Sequence, residues 1–378
     1  MKKIKINIKL NKRGKILLFV ALFCLSTVIT VILIGAFKAP RDNQQSAGLE
    51  TELTPAPEQN DESETDDSGT VAEITPTPEP AKPEKEFIFP KQGVRPIAVM
   101  IDNETDKVLP QGGIGIAQIV YEMIVEYGDT RYMAIFWDNL PDLIGPVRSS
   151  RHYFLDYLME YDAIYAHIGW SDYAYRDLEK YEIDNIDGVS DASTVYWDLT
   201  TDKSNYHDSY TKPDRLNRYI ERVGYSLETD VTFPFSYHEK DTDLPGQMTA
   251  GEVFIKYHKN STCGYYYDSD AKNYKRTRQG EYQIDRNTNE IIRVKNIIIM
   301  FVRNEPIPGD KQGRHNVYTV GSGEGFFITN GKAQKIKWSK ASRTAQTKYR
   351  DENGNDIVLN PGQTWIQVVP LNAEVRIN

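Results

Sequence analysis

The sequence predicts an α/β (α+β) mixed-sheet domain followed by a mainly-β region, and three observations predict it. Between residues 87 and 245, short apolar runs alternate with stretches of helical period, the pattern of helices layered on a sheet. From 246 to 378, apolar runs of strand length recur between turn clusters, and no helical pattern longer than two turns interrupts them. Ahead of both, residues 1–86 divide by composition into three segments that lie outside any packed core.

The first of these, residues 1–15, holds seven basic side chains and no acid. Residues 16–37 are uncharged over 22 positions, and a helix of that length spans about 33 Å, enough for a hydrocarbon core of ~30 Å. Cations on one flank predict a cytoplasmic N-terminus, so this segment reads as a signal anchor: one transmembrane helix with the rest of the chain outside the cell membrane. A cleaved signal peptide has a shorter apolar run and a small-x-small cleavage site, which Gly35, Ala36 and Phe37 match poorly. Lipid attachment at Cys24 needs a small residue before it, where Phe23 stands. Residues 38–86 carry 13 acids, four bases and repeated Pro-x-Pro. Such a segment cannot bury enough apolar surface to offset its ordering entropy and is expected to be a disordered tether with a reach of about 40 Å.

The overall charge of −9 is therefore +7 in the tail, −9 in the tether and −7 in the body. An acidic body argues against a nucleic-acid partner, which requires basic surface to displace counterions. The two cysteines, Cys24 and Cys263, lie on different sides of the predicted anchor boundary, so no disulfide staples the body.

In the first region, residues 95–101 predict a strand ending at Asp102. Residues 119–126 and 131–137 predict an antiparallel hairpin through Gly128 and Asp129, and 163–167 a fourth strand closing at His167. Helices are expected over 149–160 behind a serine cap, over 171–180, and over 212–223 with Gly224 as the stop. In the second region strands are expected at 252–258, 264–267, 273–278, 291–302, 317–320, 325–329, 333–338 and 363–369, with Asn330-Gly331 and Asn353-Gly354 as turns. Gly321, Gly323 and Gly325 read as a strand-linking turn rather than a phosphate cradle, and 351–356 as another turn. Tyr265, Tyr266, Tyr267 and Tyr274 suit cross-strand packing better than a glycan platform.

The chemistry concentrates in the run 145–151, Gly-Pro-Val-Arg-Ser-Ser-Arg. Arg148 and Arg151, with Arg131, surround Ser149 and Ser150 at a predicted helix start, where unsatisfied N–H groups and guanidinium forks suit an anion. The competing reading pairs these arginines with structural acids. Candidate acids are Asp102 at a strand end and Glu122 with Glu126, which strand period places on one face. With His167 as a base they form the constellation of a glycan-active hydrolase or transferase. No metal-binding, phosphate-loop, nucleophile-elbow or Cys-x-x-Cys motif is present, so no metal and no cofactor are expected.

These residues resemble the YerB-like family, a two-part family of bacterial envelope proteins of unknown function often described as lipoproteins. The first part is carried by 95–103 (Arg-Pro-Ile-Ala-Val-Met-Ile-Asp-Asn), 119–122, 130–131, 134–136 and 145–151. The second is carried by 295–301, 321–325 and 359–370 (Leu-Asn-Pro-Gly-Gln-Thr-Trp-Ile-Gln-Val-Val-Pro). The resemblance implies the fold and an envelope location, and supplies no catalytic residue. The resulting expectation is a membrane-anchored extracytoplasmic protein that binds an anionic ligand or cell-wall polymer through Arg131, Arg148, Ser149, Ser150 and Arg151. The alternatives are the enzyme using Asp102, Glu122, Glu126 and His167, or a scaffold for another envelope protein.

Overall fold

Apolar strands without polar alternation need cover on both faces and partners on both edges, and this requirement shapes the molecule. The computed structural model describes residues 87–246 and 248–378; the tail, the predicted anchor at 16–37 and the tether at 38–86 lie outside the described residues. In the first region the strands are β1 (Ile97–Asp102), β2 (Ile119–Ile124), β3 (Thr130–Phe136), β4 (Ile164–His167) and a short β5 (Asn185–Asp187). β2 and β3 form the expected antiparallel hairpin. β1 pairs antiparallel with β3 and parallel with β4, and β4 pairs parallel with β5.

The second region supplies β6 (Glu252–His258), β7 (Ser261–Asp268), β8 (Asn273–Arg278), β9 (Asn296–Val302), β10 (Gly321–Thr329), β11 (Lys332–Lys340), β12 (Lys348–Asp351), β13 (Thr364–Pro370) and β14 (Glu374–Ile377). Five of these continue the first region's sheet, giving ten strands in the order β12-β11-β10-β9-β13-β2-β3-β1-β4-β5. The seam is a parallel pairing of β2 with β13, from Ile119 opposite Thr364 to Met123 opposite Val368. The boundary expected at 245/246 thus falls inside one compact unit of the described residues. β13 explains why: all seven of its residues are buried, so it needs a neighbour on each edge, and it takes β9 on one side and β2 on the other.

β6, β7, β8 and β14 form a second, antiparallel sheet. β6 alternates, with Val253, Ile255 and Tyr257 buried between half-buried residues, the signature of a sheet with one face on a core. That sheet lies over the seam: Tyr257 donates from its hydroxyl to the Glu122 carbonyl at 3.0 Å, and the Arg276 guanidinium sits 4.1 Å above the Trp365 ring. The helix α1 (His152–Leu158) packs on the opposite face of the ten-stranded sheet, where Tyr157 stacks on Tyr121 at 4.9 Å and Tyr153 donates to the Ile124 carbonyl at 2.7 Å.

Two other helices form as expected. α2 (Asp172–Lys180) is capped by Ser171, whose hydroxyl accepts from the Ala174 N–H, and α3 (Pro213–Val223) ends at Gly224 in the left-handed conformation, φ 78°. Asn330 and Gly331, at φ 50° and 70°, turn β10 into β11 as expected. The glycine run at 321–325 departs from expectation: it is the first half of β10 and not a turn. A Cβ on Gly325 would lie 2.1 Å from the Ile299 carbonyl oxygen of the neighbouring strand, and one on Gly323 would meet the Trp338 indole at 2.6 Å. The glycines thus permit close strand approach. Among the described residues no helix is long and apolar enough to cross a membrane.

Candidate functional site

The run 145–151 does not lead into a helix as an anion-binding terminus. Gly145, at φ 146°, opens an extended ribbon that crosses the carboxyl ends of the parallel strands β1 and β4. Asp102 N–H donates to the Pro146 carbonyl at 2.8 Å, Arg148 N–H to Met100 at 3.0 Å, and Ile168 N–H to Arg148 at 3.1 Å. Ligands in open α/β sheets bind at such strand ends, but here the ribbon fills the position. The N-cap of α1 is Arg151 with no side-chain cap hydrogen bond, so the expected serine cap is absent. Ser149 instead accepts through its hydroxyl from Arg131 at 3.1 Å and from Arg151 at 3.0 Å, and Ser150 accepts through its carbonyl from Arg151 at 2.8 Å.

Each of the three arginines meets carboxylates of the same chain. Arg148 contacts Asp102 through Nε at 2.9 Å and Glu104 through Nη2 at 2.9 Å, and donates to the Tyr206 carbonyl at 3.2 Å. Arg131, buried to 2% exposure, pairs closely with Glu104 and lies 3.7 Å from Glu126. Arg151 forms a two-pronged pair with Glu126, with Nη2 to Oε2 at 2.8 Å. Three positive and three negative groups form one network, which is the structural-pair reading of this run and not the open anion site. Burial opposes the charged form of Glu104, yet Arg131 and Arg148 outweigh it and hold its pKa at about 2. Glu126 is likewise held below the usual carboxylate range against the cost of burial, by Arg151 first and then Arg131.

The candidate catalytic groups do not converge. In the β1–β3–β2 register Asp102, Arg131 and Met123 lie opposite one another, whereas Glu122 lies opposite Tyr132, one residue out of phase. Glu122 therefore projects from the other face of the sheet, where it accepts from Arg276 Nη2 at 2.6 Å and from the Thr130 hydroxyl at 2.8 Å beneath the second sheet. Glu126 does not share its face, because β2 ends at Ile124 and Glu126 belongs to the following turn, where Tyr127 has φ 57°. His167 falls in register two residues behind Asp102, on Asp102's face and opposite to Glu122. It is fully buried, with Nδ1 2.9 Å from the Gly169 carbonyl and Nε2 3.2 Å from Asn185 Oδ1. Burial lowers its pKa, so at neutral pH it is an uncharged, hydrogen-bonded core residue. Glu122 with His167 is thus excluded as an acid/base pair by their separation across the sheet.

Sequence reasoning missed Glu104 and His207. His207 Nδ1 lies 2.7 Å from Asp102 Oδ2, and ligand atoms of Asp102, Glu104 and His207 all fall within 4.8 Å of one another. This donor set does not suit a cation, because Arg148 already contacts both carboxylates and Arg131 contacts Glu104. Glu104 stands two residues past a strand end, a recognisable position for a site acid; nothing near His207 in sequence signals its placement. Arg276 and Arg278 were also unseen. Arg278 donates to Asn103 Oδ1 at 2.7 Å and pairs with Asp106 at 2.9 Å, tying the second region to the loop after β1. Tyr265 and Tyr274 are buried, and Tyr267 packs on Tyr274 at 5.2 Å.

Residues 83–226 match the family model described as Protein of unknown function (DUF3048) N-terminal domain, and residues 253–366 match the DUF3048 C-terminal domain. The chain belongs to this family. A protein of Bacillus subtilis (strain 168) described as "Putative lipoprotein YerB" is 31% identical over 280 residues, which cover 73% of this chain and 81% of that protein. The crystal structure of the YerB protein from Bacillus subtilis is similar at a TM-score of 0.66 and 29% identity, covering 75% of this chain and 94% of that one. The fold is accordingly the YerB fold: few helices, a mixed sheet and a strand-rich C-terminal region. The DUF3048 N-terminal part supplies β1 to β5, and the C-terminal part supplies β6 to β12 and the start of β13.

Proposed function

We propose that the protein is a membrane-attached, extracytoplasmic binding protein of the cell envelope, whose partner is a cell-wall polymer or another envelope protein. The observation that carries this reading is the order of segments in the chain: seven cations, 22 uncharged residues, an acidic Pro-rich stretch, then a family body. The description of the Bacillus subtilis relative as a lipoprotein supports membrane attachment of a related body. A binding role is favoured over a hydrolytic one because Glu122 and His167 face opposite sides of the sheet; the internal pairing of Arg131, Arg148 and Arg151 moves the binding surface away from the run 145–151. In this reading the run 131–151 fixes the body's shape, and recognition uses other surface.

Location is tested by thiol labelling. Tyr206 is 71% exposed and Cys263 is buried. In a Cys24→Ser background, Tyr206→Cys is expected to react with a membrane-impermeant maleimide as strongly in intact protoplasts as after lysis. Labelling only after lysis would overturn the extracytoplasmic assignment.

A further inference from the structure

α3 carries Arg215, Arg218 and Arg222 at spacings of three and four, so all three lie on one helix face. With Tyr219, Thr194 and Val195 they line an open concavity of about 320 Å³, at the lower end of the range of small-ligand sites. No acidic side chain lines it. Arg215 and Arg218 have no carboxylate partner among the described residues; Arg222 alone approaches one, Asp191, at 3.4 Å. Of the helix's own acids, Asp214 pairs with Lys212 at 3.4 Å, and Glu221 has no ion pair among the described residues. The local excess of positive charge thus stands out in a body that is acidic overall.

The guanidinium groups are held in place without being consumed. Arg215 lies 4.4 Å over the Trp197 ring and donates to the carbonyls of Thr194 at 3.1 Å and Tyr196 at 3.3 Å. Arg222 lies 4.7 Å over the Tyr219 ring, and the Tyr219 hydroxyl donates to Asp191 at 2.8 Å. Arg218 spends Nε on the Asp214 carbonyl of its own helix at 3.1 Å, which leaves its outer nitrogens for a ligand. Such planar forks match phosphate oxygens in paired geometry. From 215 to 222 the row extends about 10 Å along the helix, longer than one phosphate needs.

We propose that this concavity binds successive phosphate groups of an anionic phosphodiester polymer. The choice of a polymer rests on the extracytoplasmic reading above; the arginine pocket does not, so the two fail separately. A protein labelled only after lysis that still binds phosphodiester would overturn the location alone.

The test uses the full chain in phosphatidylcholine nanodiscs, titrated with a short poly(glycerol phosphate) oligomer and read by Trp197 emission. Saturable binding is expected, weakening with salt, with inorganic phosphate at least tenfold weaker. Arg218→Gln should weaken oligomer binding about threefold or more, and the Arg215→Gln/Arg218→Gln/Arg222→Gln variant tenfold or more, while Arg176→Gln on exposed α2 leaves it unchanged. Trp197→Phe should abolish the emission change. Unaltered affinity in the folded triple variant, equal affinity for inorganic phosphate, or no binding by the unmodified chain would each overturn the proposal. Capture only by nanodiscs containing phosphatidylglycerol would do the same, by assigning the arginines to a lipid surface.

Discussion

Arginines serve opposite purposes at two places in this protein. At positions 131, 148 and 151 each lies within 3.7 Å of one or two of the carboxylates Asp102, Glu104 and Glu126, and Arg131 is 2% exposed. At 215, 218 and 222 they line an open concavity in which one of the three, Arg222, meets a carboxylate, Asp191 at 3.4 Å, while Arg215 and Arg218 pair with none among the described residues. The first group was the sequence's strongest binding candidate, and its spacing Arg-Ser-Ser-Arg looks cationic because the partnering acids lie far away in the chain. The second group lies on the helix predicted over 212–223, and arginines on an amphipathic helix usually form a solvated face. Local cationic character therefore says little about available charge; that depends on which acids the fold brings alongside.

The sharpest way to break this contrast is to remove a committed arginine. Arg131→Ala would remove the buried cation that links Glu104 to Glu126, leaving Glu104 to Arg148 alone and Glu126 to Arg151 alone in a mostly buried site, and is expected to cost about 3 kcal/mol of stability in denaturant unfolding. A loss below 1 kcal/mol would show that the network is not structural.

Next in size is a pH effect. Glu104 has its folded pKa depressed to about 2 from an ordinary 4.5, so its ion pairs stabilise the fold above the unfolded pKa, and that contribution is lost as pH falls through the folded value. The linked free energy is about 3 kcal/mol. Between pH 5 and pH 2 the urea midpoint of the unmodified protein should fall more steeply than that of Glu104→Gln; parallel profiles would remove Glu104 from the account.

A smaller loss is expected from Arg151→Lys, which keeps the charge but cannot form the two-pronged contact with Glu126. About 1–2 kcal/mol follows from losing one charge-assisted hydrogen bond. Smallest of all is Arg218→Gln, whose stability should stay within about 0.5 kcal/mol of the parent, as for other exposed positions. A thermal melt lowered by many degrees would mean that α3's arginines are structural too.

Much of the fold was legible because it is encoded over short distances. The 252–258 and 273–278 strands, the Ser171 cap, the Gly224 stop and the Asn330-Gly331 hairpin all rest on period or turn chemistry within a few residues. The pairing of Glu122 with Glu126 failed for a local reason as well: strand period was extended past Ile124, where the backbone turns. The site was far less legible. Glu122 meets Arg276, Asn103 meets Arg278 and Asp102 meets His207, and each contact joins segments that no periodicity connects.

The sequence alone determined the elements, the order of tail, apolar stretch, acidic stretch and body, and the membership of a two-part family. It also determined that the body must find its stability in an ordinary core, with no disulfide available. Only the tertiary structure decided that both parts share one ten-stranded sheet, through the β2–β13 pairing, and which arginines are spent on the fold. The physical reason is the range of the interactions: helix and turn preferences act between neighbours, whereas a buried charge is tolerated only where the chain has brought its counter-charge within a few ångströms.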